Sequence, residues 1–241
     1  MTEAEWLEEL IQIEVEITHV VDIFHILEEI NRLPIAHSNV YHAFNKEPLF
    51  WNIQRDCLQE SLFIGLGRLC DSSPDAIDIN RVLNTAMVHP EFFSEEALIR
   101  RWEANNVAQE HIDNLLVGTW KPKDRLEFRY LKKAIAPHIK RIEDIYRPIR
   151  NAHYGHRLTN AAIHQMFALT NRGELSATLD ALHELVSGLI GLYRNGKKPE
   201  IGVRSFKSYN NKIKEYARNV IEKVVGGDLA AEVDETHDHV Q

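Results

Sequence analysis

Apolar residues return every three or four positions along the start of the chain, at Trp6, Leu10, Ile13, Ile17, Val20, Val21, Phe24 and Leu27. That is the period of one helix face. It predicts a first helix over about 2–33, capped by Thr2, stopped before Pro34 and acidic on its opposite side. The stretch 48–69 is apolar on several sides (Trp51, Leu58, Leu62, Ile64, Leu66, Leu69), which predicts a central helix ended by Asp71-Ser-Ser-Pro74. Asp78 is placed to cap a short helix through Met87. His89-Pro90 then breaks the chain, and Ser94 with two following glutamates caps a helix to about Val117. Residues 118–123 read as a turn, and 124–154 as a helix divided or kinked at Pro137. A short helix over 159–171 follows, then a strongly periodic one over 174–193 closed by Asn195-Gly196, and a last one over 206–225 ended by Gly226-Gly227. No alternating strand pattern of useful length and no internal repeat is present. The expected fold is therefore all-α, an up-and-down helical bundle with additional helices, forming one domain over 1–225 with an acidic, disordered tail over 226–241.

Composition narrows this further. With 11 Gly and 8 Pro in 241 residues, long helices are affordable and many-turned β architectures are disfavoured. Cys57 and Cys70 fit neither a disulfide framework nor a zinc knuckle, and both are expected as small buried side chains. The acidic start, MTEAEWLEEL, is not a signal peptide, and no apolar run approaches the roughly 20 residues of a membrane span. A cytoplasmic protein is expected, with no membrane partner.

The net charge of −8 hides a strong separation. Residues 121–157 carry eleven Lys/Arg against four acids, a local +7, which leaves −15 for the remainder. Residues 1–31 contain nine acids and no Lys or Arg. The basic segment reads either as a solvated helix face or as a phosphate-facing surface.

That segment ends in the run Ile-Tyr-Arg-Pro-Ile-Arg-Asn-Ala-His-Tyr-Gly-His-Arg over 145–157. Arg147, Arg150, His153 and His156 fall at three-residue steps, so on an α-helix successive members share a slowly drifting face. Arginine offers a planar fork of donors suited to phosphate, and histidine exchanges a proton near neutrality. RNA carries its own nucleophile, the 2′-OH beside the scissile phosphate. A base to take that proton, a cation to stabilise the phosphorane and an acid for the leaving oxygen would give a 2′,3′-cyclic phosphate without a metal or cofactor. Structural or surface roles for both histidines stand beside this reading. His153/His156, His37/His42 and the tail pair His237/His239 are weak ligand sets, and no metal site is expected. Gly65 and Gly67 follow no strand, so they read as small residues for close helix packing rather than a phosphate loop.

The pattern Arg150-Asn151…His156, with five intervening residues, resembles the motif of HEPN domains. The run from Tyr146 to Arg157 is similar to the corresponding stretch of AbiU-type HEPN proteins, the abortive-infection family. So is the stretch Trp51…Arg55-Asp-Cys-Leu…Gly-Arg68-Leu-Cys-Asp71 with Ile79-Asn-Arg-Val-Leu83 after it. The closing helix, with Leu175, Leu179, Leu182, Leu189 and Tyr193-Arg-Asn-Gly196, fits as well, and the resemblance covers about residues 1–200. It implies an endoribonuclease acting as a homodimer, in phage defence or as a toxin, with RNA as ligand and an antitoxin or regulatory partner. By that resemblance Arg150 binds phosphate, His156 handles the proton or orients the 2′-OH, and Asn151 positions one of them. His153, Arg147 and Arg157 are placed within the site; Tyr154 reads as a core aromatic or as a ring that stacks on a base, and Lys132, Lys133, Lys140 and Arg141 read as solvated charges or as contacts that follow the RNA backbone. One departure is Gly155, where Ala commonly precedes the His; Ala152-His153 with Arg147 therefore forms a rival register. A catalytically silent RNA- or protein-binding module, and a helical dimerisation protein with an acidic docking helix, remain alternatives.

Overall fold

The structure is a computed structural model that describes residues 1–71, 73, 75–155, 160–202 and 206–226, and only the backbone at 155 and 160–163. The remainder, including His156, Arg157 and the tail 227–241, lies outside the described residues. Every regular element among the described residues is helical, and the fold is all-α.

The first helix, α1 (Glu3–Ala36), opens on a reciprocal cap. The Glu5 N–H donates to Thr2 Oγ1 at 3.3 Å while the Thr2 nitrogen donates to Glu5 Oε2 at 2.7 Å. It runs three residues past the expected stop, carrying Pro34 inside its last turn, where the His37 N–H still reaches the Leu33 carbonyl at 2.9 Å. A proline this close to a helix end removes only one bond, so the helix continues. Then follow α2 (Ser38–Lys46), α3 (Pro48–Leu69), α4 (Ile79–Val88), α5 (Glu95–Ala104) and α6 (Gln109–Leu116). The single helix expected over 94–117 is split between α5 and α6: Asn105 ends the first, and Asn106 adopts a left-handed φ of 59°, which Asn tolerates better than most residues. Caps at Asp78 (Oδ1 accepting from the Arg81 N–H, 2.7 Å) and Ser94 (Oγ accepting from the Ala97 N–H, 3.2 Å) sit where the sequence placed them.

The chain divides into two compact units. The larger comprises residues 1–21 and 60–206. Its interior is organised by α10 (Arg172–Asn195), which packs against α7 (Arg129–Arg141) and α5 and buries Leu175, Leu179, Leu182, Leu185, Val186 and Leu189. Asn171 caps α10, and Gly196 closes it in the left-handed region at φ 61°. This is the one described helix long and apolar enough to cross a membrane, against the expectation that none approaches a span; 67% of its apolar window is buried inside this fold, as a core helix requires. Trp6 is fully buried and donates through Nε1 to the Val82 carbonyl at 3.0 Å. The acids of α1 are partly used inside the unit: Glu3 pairs with Arg100 and Arg101 at 2.6 Å each, and buried Glu9 pairs with Arg81.

The smaller unit comprises residues 22–59 and 207–241. Ile30, Leu33, Val40, Phe44, Trp51 and Ile221 form its core, with Phe44 and Trp51 stacked at 3.8 Å. Its last helix, α11 (Lys207–Val225), is tied by Tyr209 Oη donating to Asp22 Oδ1 at 2.7 Å and by Lys214 pairing with Glu28 at 3.2 Å. The two cysteines part company. Cys70 is buried as expected, but Cys57 is exposed: the apolar character of 48–69 is not uniform around the helix, and residue 57 falls on its outer side.

Candidate functional site

The segment holding the basic motif is a helix that changes its winding. Pro137 neither divides nor ends α7. The change comes later, as a π-helical stretch over Ile142–Tyr146, one short α turn α8 (Arg147–Ile149), and a second π-helical stretch over Arg150–Gly155. Pro148 sits between the two. Its missing N–H and its ring disrupt the bond to the carbonyl four residues back, and a wider turn on either side accommodates both defects. Ile142, Tyr146, Ile149 and Ala152 face inward along this segment. The shared face expected for Arg147, Arg150 and His153 assumed α-helical steps throughout, so it does not carry over to this geometry.

Arg150 lies across α3. A Cβ built on Gly67 would sit 2.5 Å from Arg150 Cδ and 2.6 Å from its Nη1, so glycine is what lets the side chain pass over the helix. Its Nε donates to Asn151 Oδ1 at 3.0 Å, which fixes the plane of the guanidinium. Arg150 and Arg147 are half-buried and Asn151 is exposed. One turn beyond Gly67 is Asp71, whose Oδ1 accepts from the Ser73 hydroxyl at 2.7 Å and the Ser73 N–H at 3.0 Å. Those two bonds, then the charges of Arg150 and Arg147, hold its carboxyl below the ordinary aspartate range. The neighbouring Cys70 thiol is pushed up to about 12 by burial and by Asp78 and Glu143, with Arg147 opposing. Arg150 and Arg147 are thus arranged around the end of α3.

His153 goes elsewhere. Its ring packs edge-on against Tyr154 at 4.5 Å and against Phe167 of α9 (Asn160–Phe167) at 5.5 Å. Tyr154 in turn meets Phe63 at 5.7 Å, and Phe63 also contacts Tyr146 and Phe167. His153 and Tyr154 are both half-buried within this aromatic group. Lys140 pairs with Asp144 at 2.7 Å on the surface, and Arg141 pairs with Glu174 at 3.1 Å. His156 and Arg157 lie outside the described residues. No group of three or more His, Cys, Asp or Glu arranged to hold a metal ion occurs among the described residues.

Two participants in this neighbourhood have no chemical role in the pattern of the sequence. Gly67, expected to serve close helix packing, does make close approach possible, but to a cation rather than to another helix. Asp71 is expected only to stop a helix. The signal that could have joined them is their four-residue spacing at the end of one helix.

A helical fold carrying Arg150 and Asn151, with His156 following, has the character of a HEPN domain. More narrowly, the profile of the AbiU2 HEPN family matches residues 3–220, and the chain belongs to that family. A search of curated proteins found no match, and a search of solved structures found none either.

Proposed function

We propose that this abortive-infection HEPN protein is a metal-independent endoribonuclease, acting in the cytoplasm as a homodimer. The observation that carries the reading is the seating of Arg150: it crosses Gly67, its Nε is held by Asn151, and its charge and that of Arg147 both act on Asp71. A fixed guanidinium plane is what bidentate recognition of a phosphodiester requires, because each Nη must meet its own oxygen. In this reading Arg150 grips the scissile phosphate and Asn151 sets its plane. His156 moves the proton of the attacking 2′-OH, and Arg147, Lys140, Arg141 and Arg157 add positive potential along the strand. Lys140 and Arg141 would exchange their carboxylate partners for RNA phosphates. His153, packed between aromatic rings, supports that site, so the register Arg150/Asn151/His156 is preferred over Arg147/His153. A second copy of the chain would bring two such sets around one strand.

The test is an RNA cleavage assay in EDTA with wild type, Arg150→Ala, His156→Ala and His153→Ala. Cleavage by wild type, lost on the order of a hundredfold or more in the first two variants and retained in the third, supports the reading. RNA binding without cleavage would indicate the silent binding module instead, and cleavage unaffected by Arg150→Ala would refute the assignment.

A further inference from the structure

Beside the Arg150 neighbourhood lies a cavity of about 260 Å³ in the larger unit. Its polar lining is Gln12 and Glu16 of α1, Arg68 of α3 and Asp71; Ile13, Ala76 and Ile77 supply apolar wall. The volume is just under the roughly 300–1,000 Å³ of sites that take drug-sized ligands, which suits a single flat ring system. Arg68 and Asp71 of this lining stand next to Gly67 and one turn beyond it, at the end of the helix that Arg150 crosses, so the cavity lies alongside that seat.

Glu16 is the informative side chain. Its Oε1 is buried and accepts no hydrogen bond among the described residues, and its nearest cation is Arg68 Nη1 at 3.5 Å. Gly65 leaves it room: a Cβ there would stand 3.4 Å from the same oxygen. Arg68 covers this oxygen without a hydrogen bond and is itself 66% exposed, while the Glu16 carboxylate as a whole is 26% exposed, so ligand N–H groups entering as Arg68 swings aside would satisfy it.

We infer that this cavity is a nucleobase subsite selecting guanine next to the phosphate on Arg150. Among the four bases, guanine alone presents two adjacent donors, N1–H and the N2 amine, to the two oxygens of one carboxylate. Adenine, cytosine and uracil each set an acceptor beside the donor, which a carboxylate repels. The O6 acceptor of guanine completes the same edge, and Arg68, already paired with Glu16, is the matching donor. The apolar wall residues would cover the ring faces. The inference rests on the ribonuclease reading and adds a base preference to it.

The experiment measures binding of short oligoribonucleotides that carry one 2′-deoxy substitution at the scissile position and differ only in the neighbouring base. Cleavage of the all-ribo versions is followed in parallel. Wild type is expected to bind the G oligonucleotide on the order of tenfold more tightly than the A, C or U versions. Glu16→Gln should bring that ratio to about twofold or less, with affinity for the A version equal or higher, because the amide replaces one acceptor by a donor and so matches the adenine edge. Ala76→Leu, which fills the cavity without touching a polar group, should remove the preference independently. Equal affinity for all four bases in wild type, or a G preference that survives both variants, overturns the subsite. Cleavage without base preference sinks only this inference, whereas absence of both binding and cleavage sinks the ribonuclease reading with it.

Discussion

At the scale of single residues, two glycines two residues apart, on different faces of α3, separate packing from chemistry. Gly65 faces Val20, where an added Cβ would stand 2.4 Å from Cγ2 of a fully buried side chain. Gly65→Ala should therefore cost about 1–3 kcal/mol of overpacking, offset in part by about 1 kcal/mol of gained helix propensity. Gly67 faces only the movable side chain of Arg150. Gly67→Ala should leave the melting temperature within a few degrees of wild type or raise it, yet lower RNA cleavage by about tenfold or more, because the guanidinium is pushed off its seat. A parallel drop in stability and activity would contradict that assignment. His138 gives a prediction in pH. Burial, then the charge of Arg141, lowers its pKa below the ordinary histidine value, and its Nδ1 lies 3.2 Å from Thr178 Oγ1. The fold thus favours the neutral ring. The unfolded chain takes up the proton near pH 6.5, so stability should fall on acidification through that value. His138→Gln, which keeps a partner for Thr178, should flatten the slope of denaturation midpoint against pH between about 7 and 5.

At the scale of elements, the helices announced by strong periodicity and by named caps lie within a few residues of their expected places. Asp78, Ser94 and Asn195-Gly196 act as the sequence suggests. The misses share a cause: a local rule was outweighed by its context. Pro34 and Pro137 were expected to stop or divide helices, but each removes one backbone bond from an element held by buried neighbours. The helix expected to reach Val117 breaks at Asn105 and Asn106, where no glycine or proline flagged a turn. The π-helical winding after Ile142 was not legible at all, since three-residue spacing presumes a constant pitch. This is why Arg150 and His153 part, one onto α3 and the other into rings. Pro148→Ala tests the origin of that winding. Restoring the N–H should let the segment close toward α-helical bonding, raising thermal stability while reducing cleavage as Arg150 rotates away from Gly67. Unchanged activity would mean that the wide turns do not depend on Pro148.

At the scale of the whole molecule, the charge separation read from the sequence finds only part of its explanation inside the fold. Glu3 and Glu9 have arginine partners within the larger unit, so some of the N-terminal acidity is structural rather than a docking face. Phosphate contacts by the basic segment would make RNA affinity strongly salt-dependent, with log K falling by about 0.7 per contacted phosphate for each unit of log salt on a single strand. Arg147→Gln or Lys140→Gln should each lower that slope by about one contact when affinity is titrated against salt, while Lys46→Gln, outside the segment, should leave it unchanged.

The chemistry itself is tested most directly by the ends of the cleaved strands. An RNA with one cleavage site, incubated with the protein in EDTA and analysed by mass spectrometry, should yield a 2′,3′-cyclic phosphate and a 5′-hydroxyl. A single 2′-deoxy substitution at that site should block the cut. Products with 3′-hydroxyl and 5′-phosphate ends, or cleavage of the substituted strand, would contradict attack by the RNA's own 2′-OH and with it the roles given to Arg150 and His156.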